Sequence, residues 1–458
     1  MNGKLLLLST NSFLWIVVTL LKISDVLLTE YQLSAIFVIV IFMTIIYLYS
    51  ISNKILNLQL LFIMTFGLFI GGRFIAYFLG YEYSPFTTTF FLQYTLSPEA
   101  KFDLVYRVVT FVYFYSIGCS LVPVANFNVT VIKTNTSEFI VKFSYIVFIF
   151  FVLYYFFTLS SLFKNALQLG YASLYSSQGG EVDFGGAAAS IMYTLLLFFL
   201  GYNVASKDKK GMVLYLSLFF LIAFTYLLIG ARAKFGASFL LLIWLYFRNR
   251  EFSLIRFSLI SSLGIFAILS LSELSIRFSD VESELNLTES LLKFIYSQGI
   301  TLMVADLVDK IDNYPNLAYF QLFLPAVSSF LGIFTSVDRF GTSFGNYLAY
   351  SIDPTMYYNG LGLGWSVVSD IYLLSARYIP IFCILSMLFG YVVSLISWLS
   401  IRNIYFLSFF IMILTKVIYL PRASLNSVLP MLSWFVFFTV LLKLLYDFLV
   451  VIKVINKK

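Results

Sequence analysis

The chain has 458 residues, of which 61% are hydrophobic and only 11% charged, with a mean hydropathy of +0.94 and a net charge of +7. A soluble domain carries about a quarter charged residues, so this composition excludes a water-covered globular protein and predicts an all-α polytopic membrane protein. The positive charge does not indicate nucleic-acid binding, because the basic residues are spread through short loops, as in membrane proteins. The chain contains no histidine, which excludes an imidazole base or a His-ligated metal.

Apolar segments of membrane-spanning length, about 20 residues each, follow one another along most of the chain. We predict twelve transmembrane helices, at residues 8–28, 33–50, 56–80, 104–125, 139–162, 186–204, 211–230, 234–247, 254–273, 378–399, 403–420 and 428–451. The first segment is expected to be retained, because it is long and no small-residue cleavage site follows it. The predicted parts of this single integral membrane domain, 1–458, are helices 1–9 (1–273), a large loop (274–377) and helices 10–12 (378–458).

The distribution of charge between the loops predicts the orientation. Basic residues fill the loops predicted to lie inside, among them Lys54, Lys133, 207–210, 248–256 and Arg402. Acidic residues fill the loops predicted to lie outside, among them Asp25, Glu82, Glu181 and the large loop. Both termini are therefore predicted to be cytoplasmic, and the large loop, which we expect to carry short helices, is predicted to face the periplasm from a bacterial inner membrane. Loops of this length more often carry function than shorter ones do.

Several basic residues stand against this rule on the predicted outer side. Arg73 follows two glycines near the outer end of the third helix, Arg232 lies in a tight turn, and Arg422 follows a proline in another turn. Arg339 lies in the large loop. A charged side chain at the bilayer edge costs free energy, so a functional role is the default interpretation. The planar guanidinium group can donate to two phosphate oxygens at once. Several arginines converging at the outer face would therefore suit a lipid-linked pyrophosphate. The alternative for any one of them is a snorkelling anchor, which fits Arg377, just before the tenth helix, best.

Aromatic residues of the large loop form a second candidate group. Rings with polar edges are suitable platforms for sugars, and we predict this role for Tyr347, Tyr350 and Trp365. The alternative is interfacial packing, which accounts for most aromatic residues of a membrane protein. The glycine run at 360–364 does not follow a strand, so it is no dinucleotide-binding fingerprint.

Four stretches together resemble a known family. They are a Gly-Ala-Arg turn between spans (227–233), a Ser/Tyr-rich loop (173–177), a Gly-x-Gly-x-Ser passage followed by an acid (362–370) and a Leu-Pro-Arg-Ala-Ser-Leu-Asn-Ser turn (420–427). The four stretches lie on the same predicted side of the membrane, and they accompany twelve spans and one large loop. In these features, and in the order of the stretches along the chain, the protein resembles the O-antigen polymerase (Wzy) family, most closely the polymerases of the enterobacterial common antigen. The resemblance extends over about the whole chain.

The resemblance implies a GT-C-like membrane glycosyltransferase that uses no metal and no cofactor. It would transfer a growing polysaccharide from undecaprenyl pyrophosphate onto the non-reducing sugar of a newly flipped, undecaprenyl-pyrophosphate-linked repeat unit at the periplasmic face. Since pyrophosphate is already a good leaving group, the protein mainly has to neutralise and hold it. The expected partners are this lipid-linked oligosaccharide, the lipid bilayer and, by family analogy, a chain-length regulator.

The resemblance also implies roles for individual residues. The matching turns assign Arg232 and Arg422 as catalytic residues that donate to the pyrophosphate, and Arg73 and Arg339 join them as pyrophosphate-binding residues from their position alone. If the acceptor hydroxyl is deprotonated by a base, then without histidine the choice falls on an outer carboxylate. Asp370 is the predicted catalytic base, because it matches the acid after the Gly-x-Gly-x-Ser passage.

Two other carboxylates, Asp353 and Asp338, are reserve candidates for this base. The chain departs from the family pattern at Asn426, where the related turn has Asp, and it lacks a histidine that some relatives use. Both departures concern the base rather than the reaction class.

Two other activities share some of these features. A flippase of the same lipid-linked repeat unit would also have about twelve spans and cations for pyrophosphate, but its charges would follow a path through the bilayer. No internal repeat is visible, which weakens a transporter interpretation further. An O-antigen ligase, which moves finished polysaccharide to lipid A, differs only in its acceptor.

Overall fold

The computed structural model of the chain is helical almost throughout and describes residues 3–52, 57–88, 91–123, 134–169, 186–229, 232–247, 256, 259, 262, 287–324 and 339–455. The α-helices of this part, in chain order, are α1 (Gly3–Ile23), α2 (Glu30–Ser52), α3 (Leu58–Phe69), α4 (Gly72–Phe78), α5 (Pro98–Ser120), α6 (Asn135–Leu169), α7 (Gly186–Ala205), α8 (Lys209–Ile229), α9 (Arg232–Phe247), α10 (Leu287–Gln298), α11 (Leu302–Leu307), α12 (Asn316–Phe323), α13 (Phe344–Ile352), α14 (Pro354–Tyr358), α15 (Val367–Leu374), α16 (Ile379–Leu399), α17 (Ile404–Tyr419) and α18 (Leu429–Ile455). Short 3₁₀ turns lie at Gly299–Thr301, Val308–Lys310, Arg339–Thr342, Leu420–Arg422 and Leu425–Ser427. Two short strands, β1 (Thr87–Thr88) and β2 (Tyr94–Thr95), pair antiparallel with Thr87 opposite Thr95.

Nine helical stretches of the described chain are long and apolar enough to cross a membrane, and the bent pair α3–α4 would make a tenth. The nine are Lys4–Ile23, Glu30–Ser52, Pro98–Ser120, Asn135–Asn165, Lys209–Ile229, Thr288–Lys310, Ile379–Leu399, Ile404–Arg422 and Leu425–Ile452. The predicted all-α polytopic class is therefore confirmed. The predicted count of twelve stays a prediction, because the sixth and eighth predicted spans correspond to shorter apolar helices, Ser190–Ala205 and Ser238–Phe247, and the ninth, 254–273, lies almost wholly outside the described residues.

The segment predicted as a large loop contains more helix than its polar residues indicated. Thr288–Lys310, which joins α10 and α11 through two 3₁₀ turns, meets the same criterion of length and composition as the spans. Within this stretch, α10 packs on α4 and α11 packs on α5. The short helices expected in 274–377 are present in its described part as α12 to α15.

Two helices form the centre of the bundle. In both α5 and the stretch Ile404–Arg422 built on α17, 78% of the most apolar window is buried, against 11% for α1 and 17% for α6. Large side chains of α6 such as Phe156 and Phe157 are exposed, as expected of rings that face lipid rather than water. α5 lies directly against α16, where a Cβ on Gly118 would fall 1.9 Å from the Met387 carbonyl oxygen, so glycine permits this backbone contact.

We call the end of the bundle at which α5 begins and α17 ends the loop end. Ion pairs join the α1–α2 connection to the start of α5 there, between Lys22 and Asp103 and between Lys101 and Glu30, the latter at 2.7 Å. Residues from two separate loops with the same predicted sidedness therefore do lie together. That this end faces the periplasm stays a prediction from the charge pattern.

Candidate active site

Asp370 lies at the loop end on α15, and its carboxylate is completely buried. The chain enters α15 through Gly360 and Gly364, whose positive φ values of 82° and 76° favour glycine. Ser366 then caps the helix, its Oγ accepting from the Val368 amide at 3.2 Å. The Gly-x-Gly-x-Ser passage thus serves to turn the chain and start the helix that holds Asp370.

Both carboxylate oxygens of Asp370 accept hydrogen bonds. Oδ1 accepts from the indole Nε1 of Trp365 at 2.6 Å and from Oγ of Ser424 at 3.3 Å, and Oδ2 accepts from the backbone N–H of Leu425 at 2.6 Å. Two of these donors belong to the turn at 420–427. The structure therefore joins two of the four stretches on which the family resemblance was based, although they are about fifty residues apart in the chain.

The turn at 420–427 carries Arg422 directly after α17. It consists of two 3₁₀ turns, Leu420–Arg422 and Leu425–Ser427, and Ser424 caps the second by accepting from the Asn426 amide at 3.2 Å. Because Asp370 binds this turn at Ser424 and Leu425, it determines where the backbone after Arg422 lies. The predicted base and one predicted pyrophosphate donor therefore belong to one hydrogen-bonded unit.

Arg422 is half-buried and has few partners. Its Nη1 donates to Oε1 of Gln298 at 3.2 Å, and its guanidinium carbon lies 5.9 Å from the centre of the Phe69 ring. Within the described residues no carboxylate lies within ion-pairing distance of it. Its positive charge is therefore held by a neutral amide and an aromatic ring.

Arg73 lies nearby and is buried, with more protein partners. Its Nη1 donates to the carbonyl oxygens of Thr87 at 3.0 Å and Pro85 at 3.4 Å, and its guanidinium lies 4.9 Å from the centre of the Tyr296 ring. The chain bends by 65° between α3 and α4 just before it. Arg73 thus ties the segment 85–87, which includes the start of β1, to α10.

The C-terminal end of α10 connects the two arginines. Tyr296 and Gln298 both lie in the last turn of this helix. The ring of Tyr296 contacts the guanidinium of Arg73, and the side chain of Gln298 accepts a hydrogen bond from Arg422. A Cβ on Gly299 would fall 2.4 Å from the Arg73 backbone nitrogen, so this residue has to be glycine for α10 to approach α4. Two of the predicted pyrophosphate-binding residues therefore converge on one short segment, 296–299.

The other predicted arginines are described only in their backbone. Arg232 is the first residue of α9 and Arg339 begins a 3₁₀ turn, and the side chains of both lie outside the described residues. The Ser/Tyr-rich stretch 173–177 and the reserve carboxylate Asp338 lie wholly outside the described residues. Asp353, the other reserve, caps α14 by accepting from the Met356 amide at 3.0 Å.

The predicted sugar-binding aromatics pack mainly on other rings. Trp365 is only 2% exposed and lies 5.8 Å from Phe344, centre to centre. Tyr350 stacks on Phe340 with centres 4.0 Å apart, and Tyr347 is half-buried. Tyr347 and Tyr350 keep accessible surface, whereas a sugar contact by Trp365 would require the surrounding helices to move.

Burial raises the pKa of Asp370 from its usual 3.8 to about 7, opposed by the hydrogen bonds from Leu425, Trp365 and Ser424. Because the folded protein binds this proton more tightly than the unfolded chain, stability is greatest at low pH and falls as the pH rises from about 4 to 7. We expect the thermal unfolding midpoint of the protein in detergent to be lower at pH 8 than at pH 5. Asp370→Asn should lose this dependence, and equal pH dependence in the variant and the wild type would contradict the assignment.

A further charged cluster, which the sequence analysis missed, lies beside α15. Arg107 of α5 is 7% exposed, donates to the Ala305 carbonyl oxygen and to Asp309 Oδ2, and lies 3.7 Å from the centre of the Tyr372 ring. Asp309 also faces Arg377, 3.9 Å from Nε to Oδ1. The sequence contained an indication of this cluster, because Arg107 falls inside the predicted fourth span, where a charged side chain costs free energy.

Arg377 was predicted as a plain anchor, but it has specific partners in the structure. Its Nη2 donates to the Ile311 carbonyl oxygen and, at 3.4 Å, to that of Val308. Its φ of 64° places it in the left-handed region, so the turn before α16 is held in a backbone conformation that arginine rarely adopts. The cluster of Arg107, Asp309 and Arg377 joins α5, the Val308–Lys310 turn and the end of α15.

Replacing Asp309 by Asn should lower the stability by roughly 1–3 kcal/mol, because the buried Arg107 loses the carboxylate that it pairs with, although Asp309 itself is exposed. The thermal midpoint in detergent measures this, with Asp312→Asn as the matched control, since the side chain of Asp312 is exposed. Equal midpoints for the two variants would show that the pair contributes no stability.

Fold and site together define a multi-pass, all-helical membrane protein that holds arginines and a buried carboxylate at one end of its helix bundle. The chain belongs to the O-antigen polysaccharide polymerase Wzy family, whose family model matches residues 10–454. A search of curated proteins and a search of solved structures each found no significant match. The resemblance to this family is thereby confirmed, while the closer relation to the common antigen polymerases and the GT-C-like fold stay predictions.

Membership implies O-antigen polymerase activity, and so a glycosyltransferase-type enzyme. The family acts on lipid-linked oligosaccharide repeat units in the membrane, which fits the predicted substrate class. The flippase and ligase alternatives are not favoured by this match.

Proposed function

We propose that the protein transfers a growing polysaccharide from undecaprenyl pyrophosphate onto the non-reducing sugar of a new lipid-linked repeat unit, at the periplasmic face of the inner membrane. A glycosidic bond forms between the acceptor hydroxyl oxygen and the anomeric carbon of the donor chain. The bond between that carbon and the pyrophosphate oxygen breaks, and its electron pair leaves with undecaprenyl pyrophosphate. The hydroxyl proton is lost to a base or to solvent. Holding the pyrophosphate is therefore the main task of the protein.

The observation that carries this proposal is the environment of Arg422. Arg107 is paired with the carboxylate of Asp309, whereas Arg422 has no carboxylate partner in the described chain. A guanidinium that is held in position by a neutral group keeps its full attraction for an incoming anion and offers a fork for two phosphate oxygens. We therefore place the leaving pyrophosphate at Arg422.

The other arginines extend the same site in our proposal. Arg73 already donates from Nη1 to two carbonyl oxygens, so its contribution is positive charge at short range and support of the segment 85–87. Arg232 and Arg339 remain proposed pyrophosphate donors on the turn and loop where the sequence places them. Tyr347 and Tyr350 are the proposed sugar platforms.

Two roles are open to Asp370. The sequence predicts a base, and a pKa of about 7 suits proton transfer near neutrality. Its contacts favour a positioning role, because both oxygens already accept from protein donors and the side chain is fully buried. We propose that Asp370 first of all positions the turn carrying Arg422, and that an acceptor hydroxyl would reach it only after that turn moves.

The test is purified protein in lipid, given a lipid-linked repeat unit and no nucleotide sugar or ATP, in the presence of a metal chelator. Products with two, three and more repeats, separated by size, are the expected result. No ladder, together with movement of the substrate between leaflets of a vesicle, would overturn the proposal in favour of a flippase. Transfer to added lipid A without a ladder would identify a ligase instead. Adding a chain-length regulator is expected to change the length distribution and not the occurrence of polymer.

A further inference from the structure

Gln298 is the last residue of α10, and its side chain reaches the guanidinium of Arg422. Its Oε1 accepts from Arg422 Nη1 at 3.2 Å, while its Nε2 lies 3.4 Å from Ser297 Oγ. Neither the family resemblance nor the position of the charged residues in the sequence draws attention to this glutamine. It nevertheless supplies the only hydrogen bond that the Arg422 side chain makes within the described residues.

The helix end that carries Gln298 is held firmly in place. The backbones of α4 and α10 touch at Gly72 and Gly299, where a Cβ on Gly72 would fall 2.4 Å from the Ile295 carbonyl oxygen. Tyr296 adds a hydrogen bond from its hydroxyl to the Ser84 carbonyl oxygen at 2.7 Å. Gln298 is therefore presented to Arg422 from a rigid support rather than from a mobile loop.

The chemical type of this partner matters for an anion-binding site. A carboxylate at this position would form a charge-assisted pair with Arg422 and would compete with phosphate oxygens for the same donors. An apolar side chain would leave the long arginine side chain without an orienting contact, and ordering it would then reduce the affinity for the ligand. An amide orients the guanidinium and leaves its charge uncompensated.

We propose that Gln298 is a positioning residue that holds Arg422 ready in the empty site and releases it to the pyrophosphate of the lipid-linked substrate. The exchange costs only a neutral hydrogen bond, which contributes little net free energy. The electrically neutral side chain at position 298 then sets the affinity for pyrophosphate. This inference rests on the proposed function, since it takes the pyrophosphate to lie at Arg422.

The decisive variant is Gln298→Glu, which has nearly the same shape and can still accept from Arg422. If Gln298 served structure alone, this variant would be at least as stable and as active as the wild type. With a pyrophosphate ligand, we expect its Kd for undecaprenyl pyrophosphate in lipid nanodiscs, and the KM for the lipid-linked repeat unit, to rise at least about tenfold. The kcat at saturating substrate should change less than KM.

Two further variants complete the experiment. Gln298→Ala keeps the site neutral but leaves the Arg422 side chain without its orienting contact. The cost of ordering this one side chain should raise the Kd for undecaprenyl pyrophosphate by about twofold to fivefold. Gln32→Glu adds the same charge at the exposed start of α2, where Gln32 Oε1 accepts from the Thr29 amide at 2.9 Å, and should change neither constant.

The outcomes separate the two proposals. If the wild type binds undecaprenyl pyrophosphate and Gln298→Glu binds it within twofold of the wild-type Kd, the inference on Gln298 is overturned while the proposed function stands. If the wild type neither binds this lipid nor makes a ladder of products, the proposed function itself fails. A large loss in Gln298→Glu with a small loss in Gln298→Ala supports the inference.

Discussion

Replacing Arg422 by lysine is expected to reduce polymer formation at least tenfold, and replacing it by alanine about a hundredfold. Lysine keeps the charge but is a point charge, so it cannot donate to two phosphate oxygens in one plane as a guanidinium does. Initial rates of ladder formation by purified protein, normalised to the amount of folded protein in the membrane, measure the effect.

Arg402→Lys is the matched control for this substitution. Arg402 is exposed between α16 and α17, at the end of the bundle away from the loop end, and its guanidinium lies 3.7 Å from the centre of the Trp398 ring. Its replacement should leave the rate unchanged within about twofold, as expected for an exposed charge. Near-normal polymer from a protein carrying both Arg232→Lys and Arg422→Lys would defeat the assignment of these two residues to the pyrophosphate.

Asp370→Asn is expected to abolish polymer formation. The amide has one acceptor oxygen, whereas both oxygens of a carboxyl group can accept, including the hydroxyl oxygen of the protonated form. The NH₂ group of the variant would therefore face either the Leu425 N–H or the Trp365 indole N–H. An unsatisfied buried donor costs about 1–3 kcal/mol, and the turn that carries Arg422 would move to relieve it. Activity and thermal midpoint, measured at pH 5 where the buried wild-type carboxyl is mostly protonated, should both fall.

The thermal midpoint distinguishes the two roles of Asp370. A positioning role predicts that stability and activity are lost together, whereas loss of activity with an unchanged midpoint would leave only the role of a base. Asp353→Asn is the matched control, because asparagine caps a helix as well as aspartate does and Asp353 caps α14 from a partly exposed position. Full activity in Asp370→Asn would remove both roles.

Hydropathy was sufficient to predict a multi-pass helical membrane protein, because spanning the bilayer requires a long apolar run that is visible in one dimension. It was less informative where a helix is amphipathic or short. Thr288–Lys310 was predicted as loop because its charged residues interrupt the apolar runs, and in the structure it forms one continuous helical stretch. In such a stretch, packing against α4 and α5 favours the helix more than the local composition reveals.

The positions of the charged residues in the sequence likewise identified Arg73 and Arg422, because a charge near the membrane edge costs free energy unless it has a function. The family resemblance pointed to Asp370. The same reasoning should have found Arg107, an arginine within a predicted span, and it could not have found Gln298. A neutral glutamine at the end of a helix carries no unusual cost, so nothing in the sequence distinguishes it from other polar residues.

The sequence by itself determined the class of the protein, the sidedness of its charges as a prediction and the family, because these depend on composition and on motifs that are local in the chain. Only the tertiary structure decided that Asp370 binds the turn of Arg422, that Trp365 is buried, and that α10 contacts both Arg73 and Arg422. The physical reason is that these contacts join residues far apart in the chain. Whether a carboxylate meets solvent, a peptide N–H or a cation depends on how the helices pack, which no single segment encodes.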